Sequence, residues 1–482
     1  MQKNDRIRMT ALRLGADMEG ICSHEGLTVF VPGLLPGEEA LVHIVKVEKR
    51  YAFGRIEQLL PPLSPERRDP GCAHYPRCGG CSGLHMTYAA TLRAKGQQVA
   101  DCFARIGGME VSPLPTLGME DPFHYRNKIS LPVGGTAAEP LIGYYAPRSH
   151  VIIPAADCPN ARIPAGKIAE AVRSWITAMR IPPYREEEGR GTLRHIVIRV
   201  SRTGESMVTL VSQASQLPGI DALRDALQPL GVVSLWLNIN RQRNNVILGD
   251  RFIRLWGTET LEDSILGLRF RLSPASFFQV NPEQTDRLYE TALRYADPQA
   301  GDTVCDLYCG AGTITLNLAR RCRHAVGIEI VPAAIENAKQ NALLNGVSNV
   351  SFHAGRAEEL LPRMIADGLR PDILVADPPR KGMEPSVIQA IAQATPRKVV
   401  YVSCNPATLA RDARLLADAG YAVERVQPVD MFCWTSGIET VLLMSQQKPD
   451  DTIHVGIDLK PEDVTVAESK ATYAELQAYI EE

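Results

Sequence analysis

Cys404 stands in the run Tyr401-Val402-Ser403-Cys404-Asn405-Pro406-Ala407-Thr408-Leu409-Ala410-Arg411-Asp412, directly after an apolar stretch that reads as a strand. A thiol so placed is either a small buried hydrophobe or a nucleophile. Ligands of an open α/β sheet bind at the carboxyl ends of its strands, so a cysteine closing one strand faces whatever a neighbouring turn holds. Such a turn lies upstream in Thr303-Val304-Cys305-Asp306-Leu307-Tyr308-Cys309-Gly310-Ala311-Gly312-Thr313. Gly310 and Gly312 let the backbone approach a ligand where side chains would block it. Glu329 ends the next apolar stretch and is placed to accept hydrogen bonds from ribose hydroxyls. The third glycine of the dinucleotide fingerprint is missing and no Gly-Lys-[Ser/Thr] follows, which disfavours NAD and nucleoside triphosphates. S-adenosylmethionine, with a ribose and no phosphate, fits these residues better. A helix beginning near Pro406 would lower the pKa of the Cys404 thiol.

Glu439, in Thr435-Ser436-Gly437-Ile438-Glu439-Thr440-Val441, begins the last strong strand pattern. It is either a proton-accepting base or a surface carboxylate at a strand end. Cys72, Cys78 and Cys81 form C-x5-C-x2-C in a loop rich in Pro and Gly, and Cys158 lies far downstream. Four thiolates hold either tetrahedral zinc or an iron–sulfur cluster, and their spacing does not decide which. Zinc ribbons usually pair two C-x2-C knuckles, and this stretch has one. Cys22, Cys102, Cys305, Cys309, Cys322 and Cys433 have no ligand-like grouping, so packing is their default.

Three kinds of element must position these residues. Residues 1–60 read as short strands broken by Pro32-Gly33 and Pro36-Gly37, the pattern of an OB-like β-barrel. Lys46, Lys49, Arg50 and Arg55 there suit a phosphate backbone, with Tyr51 and Phe53 either stacking on bases or packing in the core. Pro61-Pro62-Leu63-Ser64-Pro65 reads as a stiff linker. Residues 66–270 read as a central α+β domain that begins with the cysteine loop, continues in a helix from Tyr88 to Ile106, and has its clearest strands at 196–200 and 232–237. Residues 271–446 alternate strands and helices, the signature of a doubly wound α/β domain. Residues 447–482 form an acidic extension with a short strand at 453–457 and a helix from Thr472.

A chain of 482 residues is too long for one core. No apolar run spans a bilayer and Met1-Gln2-Lys3-Asn4-Asp5-Arg6 lacks the apolar core of a signal peptide, which places the chain in the cytoplasm as an expectation. The net charge of −3 conceals an acidic tail, since residues 446–482 hold nine acidic and three basic side chains and the remainder is +3. An RNA surface must therefore come from local clusters.

The string Ser403-Cys404-Asn405-Pro406-x-Thr408-Leu409-Ala410-Arg411-Asp412 resembles the signature of the RNA uracil-5-methyltransferases, and Asp377-Pro378-Pro379-Arg380 with the glycine turn resembles class I methyltransferases. The resemblance covers residues 10–445. It implies Cys404 as nucleophile and Glu439 as the base that removes the C5 proton. It also implies S-adenosylmethionine contacts from Gln279 (in Phe278-Gln279-Val280-Asn281), Tyr308, Gly310, Gly312, Glu329 and Asp377. The cysteine set resembles the [4Fe-4S] site of the branch that modifies 23S ribosomal RNA, with Cys72, Cys78, Cys81 and Cys158 as ligands in a structural or RNA-positioning role. The chain departs from the family at Gly437, where a histidine is common, and at Arg356, near the adenine in some members.

The resemblance therefore implies a monomeric enzyme acting on an unstacked or flipped uridine of 23S rRNA, with a TRAM domain at the amino terminus. Three rival readings remain. A tRNA-modifying relative generally lacks both the appended barrel and the cluster. An RNA cytosine-5 enzyme usually places its cysteine after Thr or Pro, unlike Ser403-Cys404. A non-catalytic iron–sulfur RNA-binding protein has no need of both Cys404 and Glu439.

Overall fold

A computed structural model describes residues 1–447 apart from Ile163, and residues Met1–Gln446 form one compact unit. The strand expected at 453–457 and the helix from Thr472 lie outside the described residues. Among the described residues no helix is long and apolar enough to cross a membrane.

The first sheet contains β1 (Arg6–Thr10), β2 (Arg13–Leu14), β3 (Gly20–His24), β4 (Leu27–Val31), β5 (Glu39–Val47) and β6 (Tyr51–Leu60), in the order β1-β5-β6-β4-β3-β2. Strict alternation on β5 and β6 sends Ala40, Val42, Ile44 and Ala52 into a core with Val29, Val31 and Leu34. No strand or helix follows until α1 (Tyr88–Cys102), capped by the Thr87 side chain on Ala90 N–H and continued by a widened turn over residues 103–107.

The second sheet has the order β14-β13-β12-β11-β7-β8. Its strands are β7 (Lys128–Gly135), β8 (Pro140–Ile142), β11 (Leu193–Val200), β12 (Ser206–Ser212), β13 (Val232–Ile239) and β14 (Arg251–Gly257). A short pair, β9 (Tyr144–Tyr145) and β10 (Ile152–Ile153), lies between β8 and α2 (Ala165–Ala178). Helices α2 and α3 (Ile220–Leu227) pack their apolar faces on this sheet, with Ile168, Val172, Leu223 and Leu227 fully buried.

After the hairpin of β15 (Leu261–Ile265) and β16 (Leu268–Leu272), the chain enters α4 (Pro282–Ala296), whose start is set by Pro282 and the Asn281 cap. The third sheet follows: β17 (Thr303–Leu307), α5 (Thr313–Ala319), β18 (His324–Glu329), α6 (Pro332–Leu344), β19 (Val350–Ala354), α7 (Ala357–Ala366), β20 (Ile373–Ala376), α8 (Pro385–Ala394), β21 (Lys398–Ser403), α9 (Pro406–Asp418), β22 (Tyr421–Val429) and β23 (Glu439–Gln446). Its order is β19-β18-β17-β20-β21-β23-β22, and only β23 runs against the rest. Ile373–Ala376 and Val399–Val402 are buried on both faces, as strands covered by helices on each side must be.

Helix α1 packs against this last unit. Its Val99 and the following Phe103 share a core with Leu307, Leu374 and Leu409. Lys95 Nζ donates to Asp430, 335 positions away, and both side chains are fully buried.

Candidate active site and cysteine-lined cavity

The strand order reverses between β17 and β20, and ligands bind at such a point. Tyr308 leaves β17, Glu329 ends β18, Asp377 leaves β20 and Cys404 leaves β21, all at carboxyl ends. Glu439 comes from the opposite direction: because β23 is antiparallel, its first residue lies at the carboxyl end of β21, with Thr440 paired to Ser403. A cavity of about 730 Å³ results, lined by Gln279, Tyr308, Gly310, Glu329, Asp377, Cys404 and Glu439.

The Ser-Cys-Asn-Pro run has a local cause for its shape. Asn405 caps α9 by accepting from Ala407 N–H at 3.1 Å, Pro406 opens the helix, and Ser403 Oγ accepts from Asn405 N–H at 3.1 Å. Cys404 is thereby fixed between strand and cap.

In the glycine turn, Tyr308 and Gly310 both have positive φ, 64° and 55°. Gly310 N–H donates to Glu329 Oε2 at 3.1 Å, and Val331 N–H donates to Oε1 at 2.9 Å, so two backbone bonds hold the carboxylate. Gly312 sits between Ala311 and Thr313, which both line the cavity. Its φ is 81°, and a Cβ there would lie 3.1 Å from the Phe352 ring and 3.2 Å from Ala338, so it serves the turn and the packing beneath it.

The electrostatics reverse one expectation. The Cys404 thiol is half-buried and its pKa is pushed up, chiefly by burial and then by the carboxylates Glu439 and Asp377, with Arg380 opposing them. Burial, then the charge of Asp377, also raises Glu439 well above the carboxylate range, against Arg380. Burial pushes Asp377 up to about 7. Asp306, under the turn, reaches about 7 through burial although its Oδ2 accepts from Thr315 Oγ1 at 2.5 Å. The site therefore concentrates protonatable carboxyls around one thiol.

Sequence reading did not single out Arg380, which opposes the carboxylates at both Cys404 and Glu439; its place in the Asp-Pro-Pro-Arg string was the one signal for it. It also passed over Phe277, which lines the cavity while 74% exposed. Gln279 is supported from outside the site: Asn127 Nδ2 donates to its carbonyl at 3.1 Å, and Asn127 N–H donates to Val280 O at 2.8 Å.

A second cavity, of about 480 Å³, is lined by Cys72, Cys78, Cys81 and Cys158 together with His74, Arg126 and Lys128. None of the four forms a disulfide. Burial, then the neighbouring sulfurs, pushes Cys81 up to about 12, while Asn160 Nδ2 donates to its Sγ at 3.3 Å. The chain thus gathers the four cysteines that sequence singled out. Among the described residues, however, no three His, Cys, Asp or Glu side chains are arranged to hold a metal ion, so the [4Fe-4S] site expected at these four cysteines has no support from their arrangement. A tetrahedral ion needs its sulfurs about 2.3 Å from one point. Four thiols on one cavity are a donor set of the kind that holds an iron–sulfur cluster.

The sheet order, the glycine turn and the cavity at its switch point define a methyltransferase catalytic domain. Residues 223–447 match the family described as tRNA (Uracil-5-)-methyltransferase, and residues 3–56 match the TRAM domain. An uncharacterized RNA methyltransferase of Clostridium tetani is 44% identical over 450 residues, covering 92% of this chain and 97% of its own. One from Halalkalibacterium halodurans is 44% identical over 448 residues, with 92% and 98% covered. The crystal structure of Pyrococcus abyssi tRNA (uracil-54, C5)-methyltransferase in complex with S-adenosyl-L-homocysteine superposes with a TM-score of 0.74 at 28% identity, covering 91% of this chain and 99% of that one. The chain belongs to the RNA uracil-5-methyltransferase family and carries an N-terminal TRAM domain.

Proposed function

We propose that this protein methylates C5 of a uridine in 23S rRNA through a covalent Cys404–C6 adduct. The observation that carries the reading is the meeting of Cys404 and Glu439 in one cavity, brought about by the reversed strand β23. Gly310, Glu329, Tyr308, Gln279 and Asp377 would hold S-adenosylmethionine, which supplies an electrophilic methyl group when bound. Uracil C5 is a poor nucleophile, so the thiolate of Cys404 adds to C6 and places negative charge on C5 and O4. Once C5 carries the methyl group, Glu439 takes the C5 proton, the C6–S bond breaks and Cys404 leaves as thiolate. The raised pKa of Glu439 makes it a stronger base for that step. Arg380 offsets the two carboxylates around the thiol. Phe277, exposed at the cavity, is available to stack on an extruded base.

Cys72, Cys78, Cys81 and Cys158 would hold a [4Fe-4S] cluster with a structural role, since methyl transfer contains no redox step. Their common cavity supports this, and visible absorption with iron and sulfide analysis of anaerobically purified protein tests it. One observation favours tRNA instead: the archaeal enzyme named for tRNA aligns over nearly its whole length, so domain content alone does not separate the two RNAs.

The test uses 5-fluorouridine-substituted 23S rRNA fragments and tRNA with S-adenosylmethionine, resolved on a denaturing gel. Fluorine cannot leave as a proton does, so an adduct with rRNA that disappears in Cys404→Ala is expected. An adduct with tRNA alone would transfer the reading to tRNA, and no adduct with either would overturn the covalent route.

A further inference from the structure

The turn that leads into Glu439 is held by distant parts of the chain. Residues 430–438 connect β22 to β23, and Phe432 among them lines the active cavity with Cys404 and Glu439. Lys95 Nζ donates to Phe432 O at 3.0 Å, Asn281 Nδ2 to Met431 O at 3.2 Å, and the Tyr125 hydroxyl to Cys433 O at 3.1 Å. The cysteine loop adds two more donors: Ser82 N–H and Gly83 N–H, directly after Cys81, both donate to Trp434 O at 3.0 Å.

Trp434 has a φ of 65°, a left-handed conformation that is costly for a bulky side chain and persists only where the surroundings over-determine it. Here they do. Its indole N–H donates to Pro122 O at 3.0 Å, the Tyr88 and Phe123 rings each lie with centroids 5.2 Å away, and the Arg68 guanidinium stands 5.0 Å from the ring centroid. The buried indole belongs to a small core against which Cys72 and Cys81 also pack. From there the constraint runs on towards the base. Thr435 donates to Phe432 O twice, from its N–H at 3.2 Å and its hydroxyl at 2.8 Å, and Gly437 N–H donates to Thr435 Oγ1 at 3.1 Å. The closed turn sets Gly437 against Phe432, where a Cβ would lie 3.0 Å from a ring carbon. Ile438 is then buried with Leu409 and Leu442, and Glu439 begins β23.

We propose that Trp434 is a positioning residue for Glu439: through it the loop that carries Cys72, Cys78 and Cys81 fixes the turn before β23 and so governs the release half of the reaction. The inference rests on Glu439 as the base. In the step concerned, the C5 proton passes to the Glu439 carboxylate, the C5–H electron pair becomes the C5–C6 double bond, and the C6–S pair leaves with Cys404. Cys404 is held separately, by the Asn405 cap of α9. A displaced carboxylate therefore slows proton removal while thiolate addition and methyl transfer proceed. The cysteine loop bears on catalysis in this way without any redox step.

Full-length Trp434→Ala, Trp434→Phe and Glu439→Gln are compared with the wild type on unsubstituted RNA of the kind that forms the 5-fluorouridine adduct, by steady-state kinetics and on a denaturing gel. Folded Trp434→Ala is expected to lose kcat about 10- to 100-fold at unchanged KM and to accumulate the covalent complex, formed at the wild-type rate. Trp434→Phe, which keeps a ring in the core, is expected to recover most of the turnover. A purely structural role would lower the melting temperature and leave no adduct behind. A wild-type kcat in Trp434→Ala, or a fall in kcat without accumulated adduct, overturns the inference. If Trp434→Ala does not fold, Arg68→Met, which removes the cation over the ring, decides in its place: a smaller accumulation of adduct is expected, and none overturns the link. Glu439→Gln that traps no adduct removes the base, and this inference with it. An adduct in Glu439→Gln with none in Trp434→Ala removes only the connection through Trp434.

Discussion

Asn127 and Gln279 are joined across the wall that separates the cysteine-lined cavity from the active cavity: the Asn127 amide donates to the Gln279 carbonyl, and Val280, held by the Asn127 backbone, lines both spaces. Asn127 is buried, and removal of its amide strands a buried carbonyl at a cost of about 1–3 kcal/mol. Asn127→Ala is expected to lower the melting temperature and to cut kcat by about 10- to 100-fold, since small misplacements of a reacting group are costly. Steady-state kinetics on the folded variant checks this; a wild-type kcat would disconnect Asn127 from the chemistry.

Glu439→Gln separates the two halves of the reaction. Gln cannot take the C5 proton, so the adduct forms and is not released. The expected result is a covalent complex with ordinary, unsubstituted RNA, visible on a denaturing gel, with turnover reduced by about 10²–10⁴-fold. A variant that turns over normally would remove Glu439 from its role as base.

The rate should climb with pH. Both Cys404 and Glu439 must lose a proton to act, and both are raised above their ordinary values. Activity is therefore lost as pH falls through the neutral range, earlier than unperturbed carboxylates would dictate. A pH–rate profile for formation of released, methylated RNA measures it, and a flat profile between about pH 5 and 8 would contradict the assignment.

Asp306 makes a separate contribution to stability. Its pKa when folded, about 7, lies above the 3.8 of an ordinary aspartate, so the folded state binds this proton more tightly. The stabilisation is complete below the unfolded pKa and is lost as pH rises through 7. Asp306→Asn keeps an acceptor for Thr315 and cannot ionise. It is expected to stabilise the protein at pH 8 by up to about 4 kcal/mol, because a tenfold difference in proton affinity between the folded and unfolded states is worth about 1.4 kcal/mol. At pH 4 it is expected to make little difference. Denaturant melts at the two pH values decide it.

Lys95 and Asp430 form a fully buried pair that ties α1 to the segment before β23. Lys95→Met leaves Asp430 charged and without its cation, a loss of about 3–5 kcal/mol. Urea unfolding of the variant checks the magnitude, and a loss below about 1 kcal/mol would mean that Tyr88, which also donates to Asp430, suffices alone.

What the chain revealed in advance follows from how local its causes are. Cys404 was legible because Asn405 and Pro406 begin a helix by their own capping chemistry, and the buried strands because of their unbroken apolar runs. The direction of the Cys404 pKa was not, because the helix start is a neighbour in sequence whereas Asp377 and Glu439 arrive from other strands. Gly312 looked like Gly310, and only the fold shows that a Cβ at 312 would press on the Phe352 ring while one at 310 would meet nothing within 4 Å. The attachment of α1 to Asp430 spans 335 positions and leaves no local trace.

That attachment bears on how the protein comes into being. Leu84 and Tyr125 pack against Cys433 and Trp434 in a single small core. A ribosome delivers the first pair some three hundred residues before the second, so this core stays open through most of synthesis. Leu84 and Tyr125 must wait, with apolar surface exposed, until Cys433 and Trp434 emerge.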